Sequence, residues 1–130
     1  MTILIFDAPL HGERTAAGRI LLDAGPATLR DLIRSRLQQE VERYNLALLP
    51  ETFQGLVQPE ESEQILNGFR MKTRRPLDSE VQCRRAYSSF EKNGFLVLVD
   101  GKQVTELDLR FDLHEDSEID FIKLVPLVGG

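Results

Sequence analysis

The sequence predicts an α+β fold within a single domain covering residues 1–130. Three observations lead there. Two strand-like runs, "TILIFDA" and "TAAGRILLDAG", open the chain. A stretch with apolar residues at three- and four-residue spacing follows, which is one face of a helix. After Gly94, three further strand-like runs close the chain. Strands grouped at both ends around a helix make a layer of helix on sheet. One helix covers all of them best if the first and last strands are parallel neighbours at the centre.

The elements follow in order. Thr2 to Ala8 is rich in β-branched and aromatic residues and reads as the first strand. "PLHGE" holds Pro9 and Gly12 and reads as a turn. Thr15 to Gly25 returns as a second strand centred on Ile20 to Leu22, so the pair forms a hairpin. Thr28 with Asp31 three residues on resembles a capping box. Leu29, Leu32, Ile33, Leu37, Val41 and Tyr44 then line one face of a helix from about Leu29 to Tyr44, with Asn45 as its stop. In residues 46–93, "PEESEQILNG" predicts a short helix from Pro59 to Gly68. "DSEVQCRRAYSSFEKNG" predicts a second one, capped by Asp78 and stopped at Asn93-Gly94. "FLVLV", the turn Asp100-Gly101 and "KQVTEL" form a hairpin. "RFDLHEDS" reads as a connection, and Glu118 to Val125 as the last strand, ended by Pro126.

Composition narrows the function classes. Hydrophobic residues make up 42% and charged residues 28%, as in ordinary globular chains. No run reaches the ~18 apolar residues of a membrane span. The start "MTILIFDAPL" does not read as a signal peptide. Cys83 is the single cysteine, which excludes an internal disulfide. Together these predict a cytoplasmic protein without membrane association. A net charge of −5 argues against nucleic-acid binding. Residues 70–92 nonetheless carry seven basic and three acidic residues, whereas residues 100–123 carry three and eight. "GFRMKTRR", with Arg70, Lys72, Arg74 and Arg75, reads as a solvated loop or a dock for an acidic partner.

Catalytic signals are sparse. No Ser-His-Asp set, phosphate loop or paired zinc motif occurs. His11 and His114 are the only histidines. His114 stands among Asp112, Glu115 and Asp116 without a recognised ligand spacing, so an acidic surface turn is the reading rather than a metal site. Arg84 and Arg85 beside Cys83 could lower its pKa, yet a buried helix cysteine is the preferred reading. The strands are apolar on both parities. If Ile119 and Phe121 face the helix, Ile122 and Leu124 point away, beside Leu96 and Leu98, and either residues 46–93 or a partner must cover that second face.

The order of elements, with "VDGKQV" followed by "FDLHEDSEIDFIKLVPLVGG", resembles the β-grasp superfamily of ubiquitin-like proteins. It is most similar to the small sulfur carriers of thiamine and molybdopterin synthesis and to the bacterial ubiquitin-like modifiers related to them. The resemblance covers about residues 1–45 and 94–130, and the insertion 46–93 departs from it. It implies a mixed sheet packed on one main helix. It also implies that the protein is not an enzyme and holds no cofactor. Instead, a partner activating enzyme uses ATP to adenylate the Gly130 carboxylate, which Gly129 and Gly130 carry into a closed site. Residues Pro126 to Gly130, fully extended, reach about 17 Å at ~3.4 Å each. Glycine lets the backbone pass where a Cβ would clash. As partners the resemblance implies that activating enzyme, with a conjugating enzyme and a deconjugating protease for a modifier, or a sulfur-accepting synthase for a carrier. The expected docking residues are Asp112, Glu115, Asp116, Glu118, Ile122, Leu124 and Pro126. A protein modifier is favoured over a sulfur carrier because the insertion offers a second recognition surface. A β-grasp interaction module without C-terminal chemistry is the third reading.

Overall fold

Side-chain caps set where both helices begin. In the computed structural model, which describes residues 1–23, 25–47, 50–66 and 68–124, helix α1 runs Leu29–Leu46. The Thr28 hydroxyl accepts from the Asp31 N–H at 3.2 Å, and the Asp31 carboxylate accepts from the Thr28 N–H at 3.1 Å. This is the expected capping box, and it satisfies two N–H groups that a helix start otherwise leaves without partners. Helix α2 runs Ser79–Glu91, with the Asp78 carboxylate accepting from Glu80 and Val81. It ends where Asn93 turns to a φ of 61° and the Gly94 N–H reaches back to the Ser89 carbonyl at 2.7 Å.

The main sheet contains β1 (Thr2–Pro9), β2 (Thr15–Leu21), β7 (Phe95–Val99), β8 (Lys102–Val104) and β10 (Glu118–Lys123). Their order is β2-β1-β10-β7-β8. β1 and β10 are parallel at the centre, in register from Leu4 opposite Glu118 to Pro9 opposite Lys123, and the other pairs are antiparallel. The turn between β7 and β8 is formed by Asp100 and Gly101, with φ values of 50° and 82°. Positive φ at both central residues matches the right-handed twist of the flanking strands.

Alternation places Ile3 and Ile5, Ile119 and Phe121, and Phe95, Val97 and Val99 on one buried face. Leu29, Leu32, Ile33 and Leu37 of α1 pack there, together with Cys83, Ala86, Tyr87 and Phe90 of α2. Burying each large apolar side chain stabilises the fold by about 1.5–3 kcal/mol. Residues 46–93 thus join the helix side. Leu56, Val57 and α2 share the central core, and Val41, Tyr44, Phe53, Met71 and Leu77 form a satellite cluster. Their described residues do not cover the second face of the sheet, where Leu4, Phe6, Leu96, Leu98 and Ile122 stay half-buried.

Several expectations need correction. The stretch expected as a helix from Pro59 to Gly68 contains strand β5 (Ser62–Ile65), which pairs with β6 (Gly68–Met71), itself paired with β4 (Thr52–Phe53). Pairing outweighs the local preference here. Gly68 adopts a φ of +145°, and a Cβ there would stand 2.7 Å from the Phe53 carbonyl oxygen, so this close approach needs glycine. Asn45 does not stop α1, which continues to Leu46. Its side-chain amide instead binds both backbone groups of Leu77, at 2.9 and 3.0 Å. The connection "RFDLHEDS" starts with β9 (Arg110–Phe111), paired with β3 (Ala27–Thr28) just before α1. The last strand ends at Lys123, and the parts expected at Val125 and Pro126 lie outside the described residues.

Candidate functional site

β10 leads toward the predicted reactive end, so the site is built around it. The turn before it is fixed by one carboxylate. Asp100 accepts from the Glu118 N–H and from the Ser117 hydroxyl, both at 2.9 Å, and Ser117 is fully buried. Ser117 in turn accepts from the His114 N–H at 3.1 Å. The hairpin between β7 and β8 therefore positions the start of β10, and His114 serves this turn. Among the described residues no group of acidic, histidine or cysteine side chains could hold a metal ion.

Of the predicted docking residues, Asp112, Glu115 and Asp116 are exposed on this turn. Glu118 is half-buried and pairs with Arg14 at 3.1 Å, while Asp120 meets the same guanidinium at 3.3 Å. Arg14 also lies 3.8 Å above the Phe6 ring. A cation over an aromatic face with two carboxylates beside it covers part of the second sheet face. Ile122 stands opposite Leu96, as expected, but Asp120 rather than Leu124 stands opposite Leu98, because β10 and β7 are antiparallel and Leu124 falls beside Gly94.

Leu124 lies past the far end of β10, with its N–H on the Gly94 carbonyl at 3.2 Å. The strand rises ~3.3 Å per residue, so about 20 Å separate the acidic turn from Leu124. They do not form one compact patch. Pro126, Gly129 and Gly130 lie outside the described residues.

Beside Leu124 a cleft of about 1320 Å³ opens between β2, α1, α2 and the loop 54–58. Its floor contains a charge cluster that sequence reasoning missed. Arg36, 3% exposed, donates to both carboxylate oxygens of Asp7 at 2.6 and 2.7 Å and to Glu40 at 3.2 Å. Its guanidinium also lies 4.6 Å from the Phe121 ring centre. Burial pulls the Arg36 pKa down, but Asp7 and Glu40 outweigh it and leave the group above its ordinary value. Burial pushes the Glu40 carboxyl up, against the lowering effects of Arg36 and the Leu56 N–H. The Leu56 N–H donates to Glu40 at 3.2 Å, so the cluster ties the inserted segment to both sheet and helix. A signal was present in the sequence. Arg36 occupies the helix face of Leu32, Ile33 and Leu37, four residues before Glu40, and Asp7 continues the inward alternation of Ile3 and Ile5.

The other candidates settle as packing groups. Cys83 is fully buried, and burial pushes its thiol up, away from thiolate reactivity. In the basic loop, Arg70 pairs with Glu63 at 2.8 Å and Arg75 reaches Glu61 at 3.9 Å. Lys72 and Arg74 are exposed. The Tyr87 hydroxyl is buried with no nitrogen or oxygen partner among the described residues, and only the Cys83 thiol, a weak partner, lies beside it. Tyr87→Phe should therefore leave stability unchanged or raise it by up to about 1 kcal/mol, because the variant no longer buries a poorly paired donor. Urea unfolding checks this, and a loss above that size would mean that the hydroxyl is satisfied.

No helix among the described residues is long and apolar enough to cross a membrane. No family model, curated protein or solved structure matches the chain.

Proposed function

We propose that this chain is a ubiquitin-like β-grasp modifier, a substrate of an activating enzyme rather than a catalyst. The observation that carries the proposal is the sheet order β2-β1-β10-β7-β8, with the first and last strands parallel at the centre and α1 packed across one face. In such an arrangement the final strand stands at the centre of the sheet and ends just before the last residues of the sequence. The sequence after Leu124 is "VPLVGG".

The chemistry needs an outside enzyme because a carboxylate is a poor acyl donor. A Gly130 oxygen attacks the α-phosphate of ATP in the activating enzyme, and pyrophosphate leaves. A thiolate then attacks the carbonyl of the mixed anhydride, and AMP leaves with the electron pair. In a modifier, a target amine displaces the thiolate and an amide forms. A conjugating enzyme holds the thioester, and a protease reverses the bond. In a sulfur carrier, a persulfide attacks the carbonyl instead and AMP leaves; a second thiol then attacks the resulting acyl disulfide, forming a disulfide and releasing the thiocarboxylate for an accepting synthase. The half-buried patch of Leu4, Phe6, Leu96, Leu98 and Ile122, with Asp112, Glu115 and Asp116 at its end, suits partner docking. Apolar area would supply affinity and the acids would steer encounter.

Purification from the native cell with its partner genes intact tests the reading. A modifier should yield higher-mass species that resist thiol reductants, with Gly130 joined to an amine by mass spectrometry. Protein that instead gains about 16 Da, as sulfur replaces oxygen, and has no amide-linked species would establish the carrier reading. An end with neither change would leave an interaction module. A chain that naturally continued past Gly130 would need a processing protease first.

A further inference from the structure

The cleft beside Leu124 has a wall that neither the fold nor the proposed end chemistry explains. Among the described residues its lining carries six cations and three carboxylates, on a chain whose net charge is −5. Arg36, Asp7 and Glu40 are occupied with one another on the floor, with Lys123 at 3.8 Å from Asp7, and Arg85 lies 4.0 Å from Glu60. That leaves Arg43, Arg84 and Lys92, all exposed, with no ion pair among the described residues. The surplus positive charge of the cleft rests on these three.

Their spacing indicates the shape of the ligand. Val81, Arg84, Arg85, Ser88, Ser89 and Lys92 line the cleft and recur at helical spacing. At 1.5 Å per residue this wall is about 17 Å long, and Arg84 stands about 12 Å from Lys92. A single phosphate cannot span that distance, whereas about five residues of extended peptide cover the wall at ~3.4 Å each. Across the cleft lie Thr15, Ala16 and Ala17 of β2. β2 is an outside strand of the sheet, and its register slips between Ile5 and Phe6, opposite Ala17. Two aromatics line the described cleft, Phe95, only 2% exposed, and Phe69, half-buried, so at most one ring is available for stacking a base.

We propose that this cleft binds an extended acidic peptide segment of a partner protein, with its carboxylates on Arg84, Lys92 and Arg43. The binding stands on the cleft alone. Only the idea that it holds a partner next to an activated end rests on the function proposed above.

The test uses the isolated chain, without ATP or an activating enzyme. The probe is a fluorescein-labelled eight-residue peptide alternating glutamate and leucine. Comparison probes are the same peptide with glutamine for glutamate, an eight-nucleotide single-stranded oligothymidylate, and inorganic pyrophosphate. The acidic peptide should bind in a salt-sensitive way. The exposed double variant Arg84→Glu with Lys92→Glu should weaken it at least tenfold, whereas Lys102→Glu on β8 should not. Circular dichroism of the double variant should match the parent. Absence of peptide binding, or an unchanged Kd in the double variant, would overturn the proposal. Equal or tighter binding of the oligonucleotide or of pyrophosphate would do the same, in favour of those ligands. Binding that rises at least tenfold when residues 125–130 are removed would assign the cleft to the chain's own end instead of a partner.

Discussion

Arg36→Met should lower the unfolding free energy by about 3–5 kcal/mol, the usual cost of removing one partner from a buried ion cluster. The size follows from what remains. Asp7 and Glu40 would stand together in the floor of the cleft without the guanidinium that bonds both. Methionine fills much of the volume, so the loss reports charge rather than a cavity. Urea unfolding at neutral pH measures it, and a cost below about 1 kcal/mol would mean that water already screens the cluster. Glu40→Gln is the informative companion. Burial holds the Glu40 carboxyl above its ordinary value, so the folded state binds this proton more tightly than the unfolded state. Stability from this group is therefore greatest at low pH and falls as pH rises from the ordinary carboxylate range through the raised folded value. Glutamine should remove that slope and keep the hydrogen bond from the Leu56 N–H. In Arg36→Met the slope should steepen, because Glu40 loses its main lowering partner.

Deleting Gly130 should abolish ATP–pyrophosphate exchange with the cognate activating enzyme. The deletion draws the carboxylate back by ~3.4 Å. A misplacement of about 1 Å can already cost roughly 10²-fold in rate, so exchange should fall at least that far. Gly129→Phe should act similarly by placing a ring where the backbone must thread a narrow channel. Unfolding transitions of both variants should match the parent, which separates a chemical defect from a structural one. Undiminished exchange by the deletion variant would remove Gly130 from the mechanism.

The fold could be read wherever local chemistry and packing agree. The capping box of Thr28 and Asp31, the Asp100-Gly101 turn and the Asp78 cap each require particular residues at fixed offsets, and all form. "FLVLV" needed only its β-rich composition. "SEQI" failed because three polar residues carry no strand period, and its conformation comes from pairing with β6. β3 and β9, two residues each, are too short to hold any period. The same limit applies to the cleft. Its charges come from β1, α1, α2 and β10, and only their packing brings Asp7, Arg36, Glu40 and Lys123 together. Strand alternation predicts that Ile122 and Leu96 share the outward face, but it carries no cross-strand register, so Asp120 rather than Leu124 beside Leu98 could not be read from it.

The parallel pairing of β1 with β10 also has a mechanical consequence. β1 begins at Thr2, and β10 runs beside it in the same direction to Lys123, near the opposite end of the described chain. Tension applied between the two ends would pull these strands lengthwise in opposite senses. The hydrogen bonds from Leu4 to Pro9 would then share the load in shear, instead of opening one after another as in a peeled hairpin. A chain of this build, anchored at one end and dragged by the other, would meet the force with the whole of its central seam at once.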